Sequence, residues 1–298
     1  MNLFINTLLV NFHEELLASE EKLQDEIKKA LFSVPESYKK KAFDEIIKVI
    51  AKRNDSTSEE KGSVVFSFKP TKSSERVISY IENFALKNES LSSFYRRMFV
   101  AYSERLKNER EKIIYKENYE LLCKAIQKNV QVCITLKADD KCYENMSLFS
   151  VSSSKDELFN YVLSFGRKTN YTFRLASIKN VYLLPDKGEI PDKYRILFER
   201  QVECGAQYPM YPSDDLLIKV QLTEKGKELF RRIYLYRPTP VSIEGDIYTF
   251  DCSANQLLYY FERFGEHALI ISPKRIGIFM RNYYYYALKK YRSVYGKE

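Results

Sequence analysis

Apolar positions recur at helical spacing from the start of the chain, where Leu16, Leu17, Leu23, Ile27 and Leu31 stripe a predicted helix over residues 3–31. Val34-Pro35 ends it, because proline disfavours helix at the residue before it. A second helix is predicted from Glu36 to Lys52, with Ala42, Phe43, Ile46, Ile47 and Ile50 on its apolar face, and the polar run 53–62 reads as a linker. The period then falls to two. Over Ser63–Pro70, Val64, Phe66 and Phe68 share one face of a predicted strand, and Ser63, Val65 and Ser67 share the other. Two helical patterns follow. The first is capped by Thr71, Ser73 or Ser74 and carries Val77, Ile78, Tyr80, Ile81 and Phe84. The second is capped by Ser90 or Ser92, carries Phe94, Tyr95, Met98, Phe99 and Tyr102, and runs on through Ser103–Lys116. Glu117–Lys128 reads as a further helix.

From Val130 the pattern turns to short strands. Val130–Leu136, Phe159–Phe165, Tyr171–Leu175 and Ile178–Leu184 are predicted, with 166–170 as a polar hairpin turn between the second and third. Strands this close together predict a small barrel. Asp192–Cys204 reads as a helix inside a stretch that is Pro-rich at both ends. The remainder reads β-α-β-β-α-β-α: Leu216–Leu222, Glu224–Ile233, Val241–Ile243, Ile247–Phe250, Ser253–Phe264, His267–Ile271 and Pro273–Tyr291. No short-period repeat or low-complexity tract is present.

Composition narrows the class. Of 298 residues, 45% are hydrophobic and 30% charged, with 9 Gly and 9 Pro, which suits ordered domains with real cores. The net charge of +8 is unevenly placed. Residues 1–62 carry 10 Lys/Arg against 12 Asp/Glu, residues 63–110 carry 9 against 5, and residues 263–298 carry 8 against 2. Basic clusters among 24 Tyr and 19 Phe suit a polyanion, although either cluster alone also fits a solvated helix face. The five cysteines show no C-x-x-C spacing, which leaves zinc and thioredoxin-like chemistry unsupported, and their odd count fits a reducing cytoplasm. The apolar start lacks a basic flank and is interrupted by Asn6, Asn11 and His13, so neither a signal peptide nor a membrane span is expected.

A lone strand ahead of two helices has no partner within its own unit. Pairing with the same strand of a second copy is the simplest way to satisfy its backbone groups. That arrangement resembles the ribbon-helix-helix fold, a dimer used mainly to bind nucleic acid. In such DNA binders the outward strand residues read the major groove. Here they are Ser63, Val65 and Ser67, poorly suited to bidentate base readout. Lys69 at the strand's end and the free N–H groups of Ser92 and Ser93 are candidate phosphate contacts, while Val64, Phe66 and Phe68 are the candidate dimerisation face.

The barrel stretch resembles a WYL domain. Asn160-Tyr161-Val162 stands at the naming triplet, and Phe173-Arg174-Leu175 at the following Arg-bearing strand; the family's second Arg falls on Ser177. Residues 213–298 resemble the C-terminal extension of many WYL proteins, with Phe264-Gly-Glu-His-Ala-Leu-Ile-Ile-Ser-Pro273 as the closest stretch. Together these features resemble the WYL-domain accessory proteins of type VI-D CRISPR-Cas loci. The resemblance covers about residues 63–298 and implies an α+β chain with 63–116 ribbon-helix-helix, 117–185 Sm-like WYL β-barrel, 186–212 linker with a helix, and 213–298 sandwich-like C-terminal dimerisation domain; residues 1–62, read from their periodicity as an N-terminal helical extension, are not explained by it. It implies a cytoplasmic homodimer that binds single-stranded RNA and stimulates the RNA-guided ribonuclease of its locus.

Within that picture Tyr161, Phe173 and Arg174 are groove residues, with Arg167 and Lys168 on the hairpin tip. A guanidinium can clamp a phosphate or stack on a base, and a tyrosine offers a stacking plane. The alternative is that Arg174 pairs with a local carboxylate and Tyr161 belongs to the core. Tyr283, Tyr284, Tyr285 and Tyr286 cannot all lie on one helical face, and they are assigned to a dimer interface. No nucleophile–base pair, Walker loop or dinucleotide fingerprint appears, only His13 and His267 are present, and Asp139-Asp140 fits a turn better than a metal site. No enzyme activity, cofactor or metal is therefore expected. The rival function is a ligand-sensing transcriptional regulator that binds duplex DNA.

Overall fold

Helix α1 (Asn2–Ala30) buries Ile5, Leu8, Leu9, Phe12 and Leu16, so its core-facing stripe lies in its first half. The computed structural model describes residues 1–56, 67–86, 89–212 and 217–296. Of the stripe expected on α1, only Leu16 is buried, and Leu23 is exposed. The asparagines that interrupt the apolar start act as clamps. Buried Asn6 accepts from the Thr71 N–H at 3.1 Å and from the Ser74 hydroxyl, and its amide donates to the Lys69 carbonyl at 3.1 Å. Asn11 donates to the Ile113 carbonyl at 2.8 Å. A buried polar side chain costs little when it is bonded in this way.

Helix α2 (Glu36–Ser56) follows Pro35. Helix α3 (Lys72–Tyr80) starts on a capping box in which Thr71 and Ser74 bond each other's backbone N–H. Helix α4 (Leu91–Glu104) is capped by Ser90. The helix expected to continue through Lys116 breaks at Arg105-Leu106, both of which are extended. Glu109 then accepts the Leu106 N–H at 3.1 Å and restarts the chain as α5 (Lys107–Ile114). Ile81, Phe94, Met98 and Ile113 close one core with α1. Helix α1, ahead of the expected linker, therefore shares a core with the helices after it, and Met1–Lys116 forms one compact unit. Of the strand expected over 63–70, residues 63–66, including Val64 and Phe66, lie outside the described residues; residues 67–70 form no strand. Phe68 instead rests edge-on against Tyr95 within this core.

The second unit spans Glu117–Glu298. After α6 (Lys116–Lys128) come β1 (Val130–Leu136), β2 (Cys142–Ser153), β3 (Asn160–Gly166), β4 (Thr169–Arg174) and β5 (Ile178–Lys187). They form an antiparallel sheet in the order β4-β3-β2-β1-β5. Among the described residues no ladder joins β4 to β5, so the expected barrel is not closed. Strand β2, the longest, is missing from the sequence-based expectation. Its interspersed serines and the bulge between Leu148 and Ser150 break the alternation that marks a strand. Cys133 and Cys142 are disulfide-bonded between β1 and β2, a pairing their spacing did not suggest. Helix α7 (Asp192–Cys204) packs Tyr194, Leu197 and Phe198 against Leu163 of β3.

The chain then forms β6 (Ile218–Leu222), α8 (Glu224–Arg232), β7 (Pro240–Glu244), β8 (Ile247–Phe250), α9 (Ala254–Phe261), β9 (Ala268–Ser272) and α10 (Lys274–Tyr295), in the element order expected. The sheet order is β7-β8-β6-β9. Ile218, Val220 and Leu222 alternate into a core with Phe230, Leu257, Phe261 and Ile276 from the helices. Gly226 and Gly277 permit close packing. A Cβ on Gly226 would lie 2.1 Å from the His267 carbonyl oxygen, and one on Gly277 would lie 2.7 Å from that of Ile270. Among the described residues no helix is long and apolar enough to cross a membrane.

Candidate nucleic-acid interface

The hairpin of β3 and β4 pairs Tyr161 with Arg174, Val162 with Phe173 and Leu163 with Thr172. Directly paired residues share a face. Tyr161, Leu163, Thr172 and Arg174 therefore face α7, where Gln201 donates to the Thr172 hydroxyl at 2.9 Å. Val162 and Phe173 take the opposite face. Phe173 is buried there, stacked parallel to Tyr171 and edge-on to Tyr143. Its expected place in the groove is thus corrected: it supports the sheet from the far side, because strand side chains alternate.

Arg174 is exposed, and its guanidinium lies 3.6 Å from the centroid of the Phe159 ring. This cation–π contact holds the arginine flat beside Tyr161. Tyr161 donates its hydroxyl to Glu157 at 2.9 Å, and Tyr236 donates to the other oxygen of the same carboxylate at 3.1 Å. Burial, reinforced by the bond to Glu157, raises the Tyr236 hydroxyl above its ordinary range. Neighbouring Asp156 is raised chiefly by burial, with the Glu157 charge adding to it. The site is thus an aromatic shelf of Phe159 and Tyr161 that carries one guanidinium, with carboxylates along its inner rim.

Arg167 and Lys168 form the two-residue turn at the hairpin's other end, both with left-handed φ (47° and 65°) and both exposed. Such turns usually take Asn-Gly, since residues with a Cβ are strained there. Here the strained positions hold two cations, and the Tyr194 hydroxyl fastens the turn by donating to the Lys168 carbonyl at 2.8 Å. Five strand positions separate this tip from the Tyr161–Arg174 pair, about 17 Å.

The other expected contacts lie in the first unit. Lys69 is exposed, with its backbone bonded to Asn2 and Asn6. Ser92 and Ser93 occupy the first turn of α4, but the Ser93 N–H already bonds Ser90 Oγ at 3.2 Å, so it is not the free donor expected. Of the four consecutive tyrosines on α10, Tyr284 alone turns inward, donating to the Glu262 carbonyl at 2.9 Å. Tyr283, Tyr285 and Tyr286 stay exposed. His13 and His267 bond the Leu9 carbonyl and the Thr223 hydroxyl, and Asp140 pairs with Lys179. Among the described residues no group of three His, Cys, Asp or Glu is placed to hold a metal. Sequence reasoning missed Phe159, Glu157 and Tyr236. The first two sit just before Tyr161 and could have been found as its near neighbours; nothing local marks Tyr236, 79 residues from Glu157.

No protein-family model matches the chain, and no curated protein does. Among solved structures, the chain is similar to the crystal structure of a CRISPR Cas-related protein, with 18% identity and a TM-score of 0.61 over 98% of this chain and 86% of that one. It also aligns with proteasome accessory factor B/C of Arthrobacter aurescens at 16% identity and a TM-score of 0.25, over 74% of this chain and 35% of that one, a likeness too slight to carry any argument. At this identity the first likeness establishes a shared fold.

Proposed function

We propose that the chain is an accessory or regulatory protein of a CRISPR system that binds single-stranded RNA and stimulates an RNA-guided ribonuclease of the type VI-D class. In this reading it acts as a homodimer, without catalysis of its own. The observation that carries the RNA reading is the spacing along the β3–β4 hairpin. A mononucleotide cannot touch both the Arg174–Tyr161 shelf and the Arg167–Lys168 tip about 17 Å away, whereas a flexible strand of phosphates can. The Arg174 guanidinium stacked over Phe159, and the Tyr161 ring, suit unstacked bases, which a duplex does not offer. The likeness to a CRISPR Cas-related protein supports the system to which the chain is assigned.

The test is a filter-binding comparison of a labelled single-stranded RNA with duplex DNA of the same length. RNA is expected to bind the more tightly, with an affinity that falls steeply as salt rises. Arg174→Ala is expected to weaken RNA binding severalfold at unchanged melting temperature. Tighter, sequence-selective duplex binding would overturn this reading in favour of a transcriptional regulator.

A further inference from the structure

Helix α10 is anchored only over its first half. Ile276 and Met280 are buried, and Tyr284 bonds the Glu262 carbonyl. From Tyr285 to Gly296 every residue is exposed, about 17 Å of helix. A helix end destined for water would be polar. This one leaves Tyr285, Tyr286, Leu288, Tyr291, Val294 and Tyr295 between 47% and 79% exposed. Apolar surface gathered in this way marks a place where something binds.

Charge chooses the occupant. Helix α10 carries Lys274, Arg275, Arg281, Lys289, Lys290 and Arg292 and no carboxylate at all. A second copy of the helix laid alongside would set cations against cations. A duplex would meet the cations but hide its base faces from the rings. Single-stranded nucleic acid answers both features, with phosphates for the ammonium and guanidinium groups and π-faces for the tyrosines. Tyr291 and Tyr295, one turn apart, already hold their rings within 17° of parallel and so present faces in series.

We propose that the solvent-facing side of α10 is a second binding strip for single-stranded RNA, with bases stacked on Tyr285, Tyr291 and Tyr295 and phosphates held by Arg281, Lys289 and Arg292, which helical spacing gathers on one side. This rests on the RNA-binding reading above, and it takes Tyr285 away from the dimer interface.

The test uses the full chain and a fluorescein-labelled 20-nucleotide oligouridine, followed by anisotropy. The triple change Tyr285→Ala, Tyr291→Ala, Tyr295→Ala should weaken binding tenfold or more, while the matching triple change to Phe stays within about twofold, because stacking needs the ring and not the hydroxyl. Arg281→Ala, Lys289→Ala and Arg292→Ala together should reduce the slope of log affinity against log salt by about 2, at roughly 0.7 per phosphate contact. All six side chains are exposed, so the fold should survive, and circular dichroism checks it. Unchanged affinity in the Ala triple, beside a wild type that binds, overturns the α10 strip and leaves the RNA reading standing. A wild type that binds no oligouridine overturns both. Light scattering that shows the Ala triple dissociating to monomer at unchanged affinity makes α10 an interface between copies and overturns the strip.

Discussion

Glu157 stands in an unexpected place for a polyanion site, since its carboxylate accepts from both Tyr236 and Tyr161, the strand partner of Arg174. The bonds fix the Tyr161 ring, but the charge repels phosphate. Two like charges a few ångströms apart in water cost about 1 kcal/mol. Glu157→Gln should therefore raise RNA affinity about threefold to fivefold at low salt, because the carboxamide can still bond both hydroxyls while losing the charge. Isothermal titration would show this, and weaker binding would mean that Glu157 serves mainly to position Tyr161. At this scale the sequence was half legible. Strand alternation sets Arg174 opposite Phe173, which is why Phe173, expected beside it in the groove, is buried while Arg174 is exposed. What alternation could not reveal is the company Arg174 keeps. Phe159 precedes the strand, and Tyr236 arrives from a distant turn in which it adopts a left-handed φ of 64°.

Elements were legible where one period holds throughout. The run from β6 to α10 alternates cleanly between strand and helix patterns, and each boundary lies close to its expected place. Legibility failed where a tertiary contact or an irregularity intervened. The β2 bulge hid a strand, Glu109 cut a helix that looked continuous, and α1 buried its first half because Asn6 and Asn11 found backbone partners. The glycines of the C-terminal helices test whether these contacts are tight. Gly226 lies in the first turn of α8, where Thr223 accepts its N–H at 3.1 Å and the His267 carbonyl blocks any side chain. Since the obstacle is backbone, relief requires moving α8 away from the turn at His267. Gly226→Ala should cost about 1–3 kcal/mol or more, read as a lowered urea midpoint. An unchanged midpoint would mean that α8 can shift freely.

At the scale of the whole chain the cores partition cleanly. The helices of residues 1–116 close on Ile5, Phe12, Phe94 and Met98, while residues 117–298 hold their own clusters around Leu163 and Phe198 and around Val220 and Phe261. The candidate contacts with RNA fall almost wholly in the second unit: Tyr161, Arg174, Arg167, Lys168 and the cations of α10. In the first unit Lys69 is an exposed cation, while Ser93 has its N–H committed to a cap. A unit with its own core should fold without its neighbour. A chain of residues 116–298, which keeps α6 whole, should therefore melt cooperatively and bind single-stranded RNA within about tenfold of the full protein. The loss reflects phosphate contacts on the first unit, and each lost contact flattens the salt dependence. Residues 1–116 alone should bind weakly, since of the candidate contacts they hold only Lys69 and the start of α4, where the Ser93 N–H is committed to its cap. A folded 116–298 fragment that has lost a hundredfold or more would place the main RNA contacts in the helical unit, and the hairpin and α10 would then be secondary.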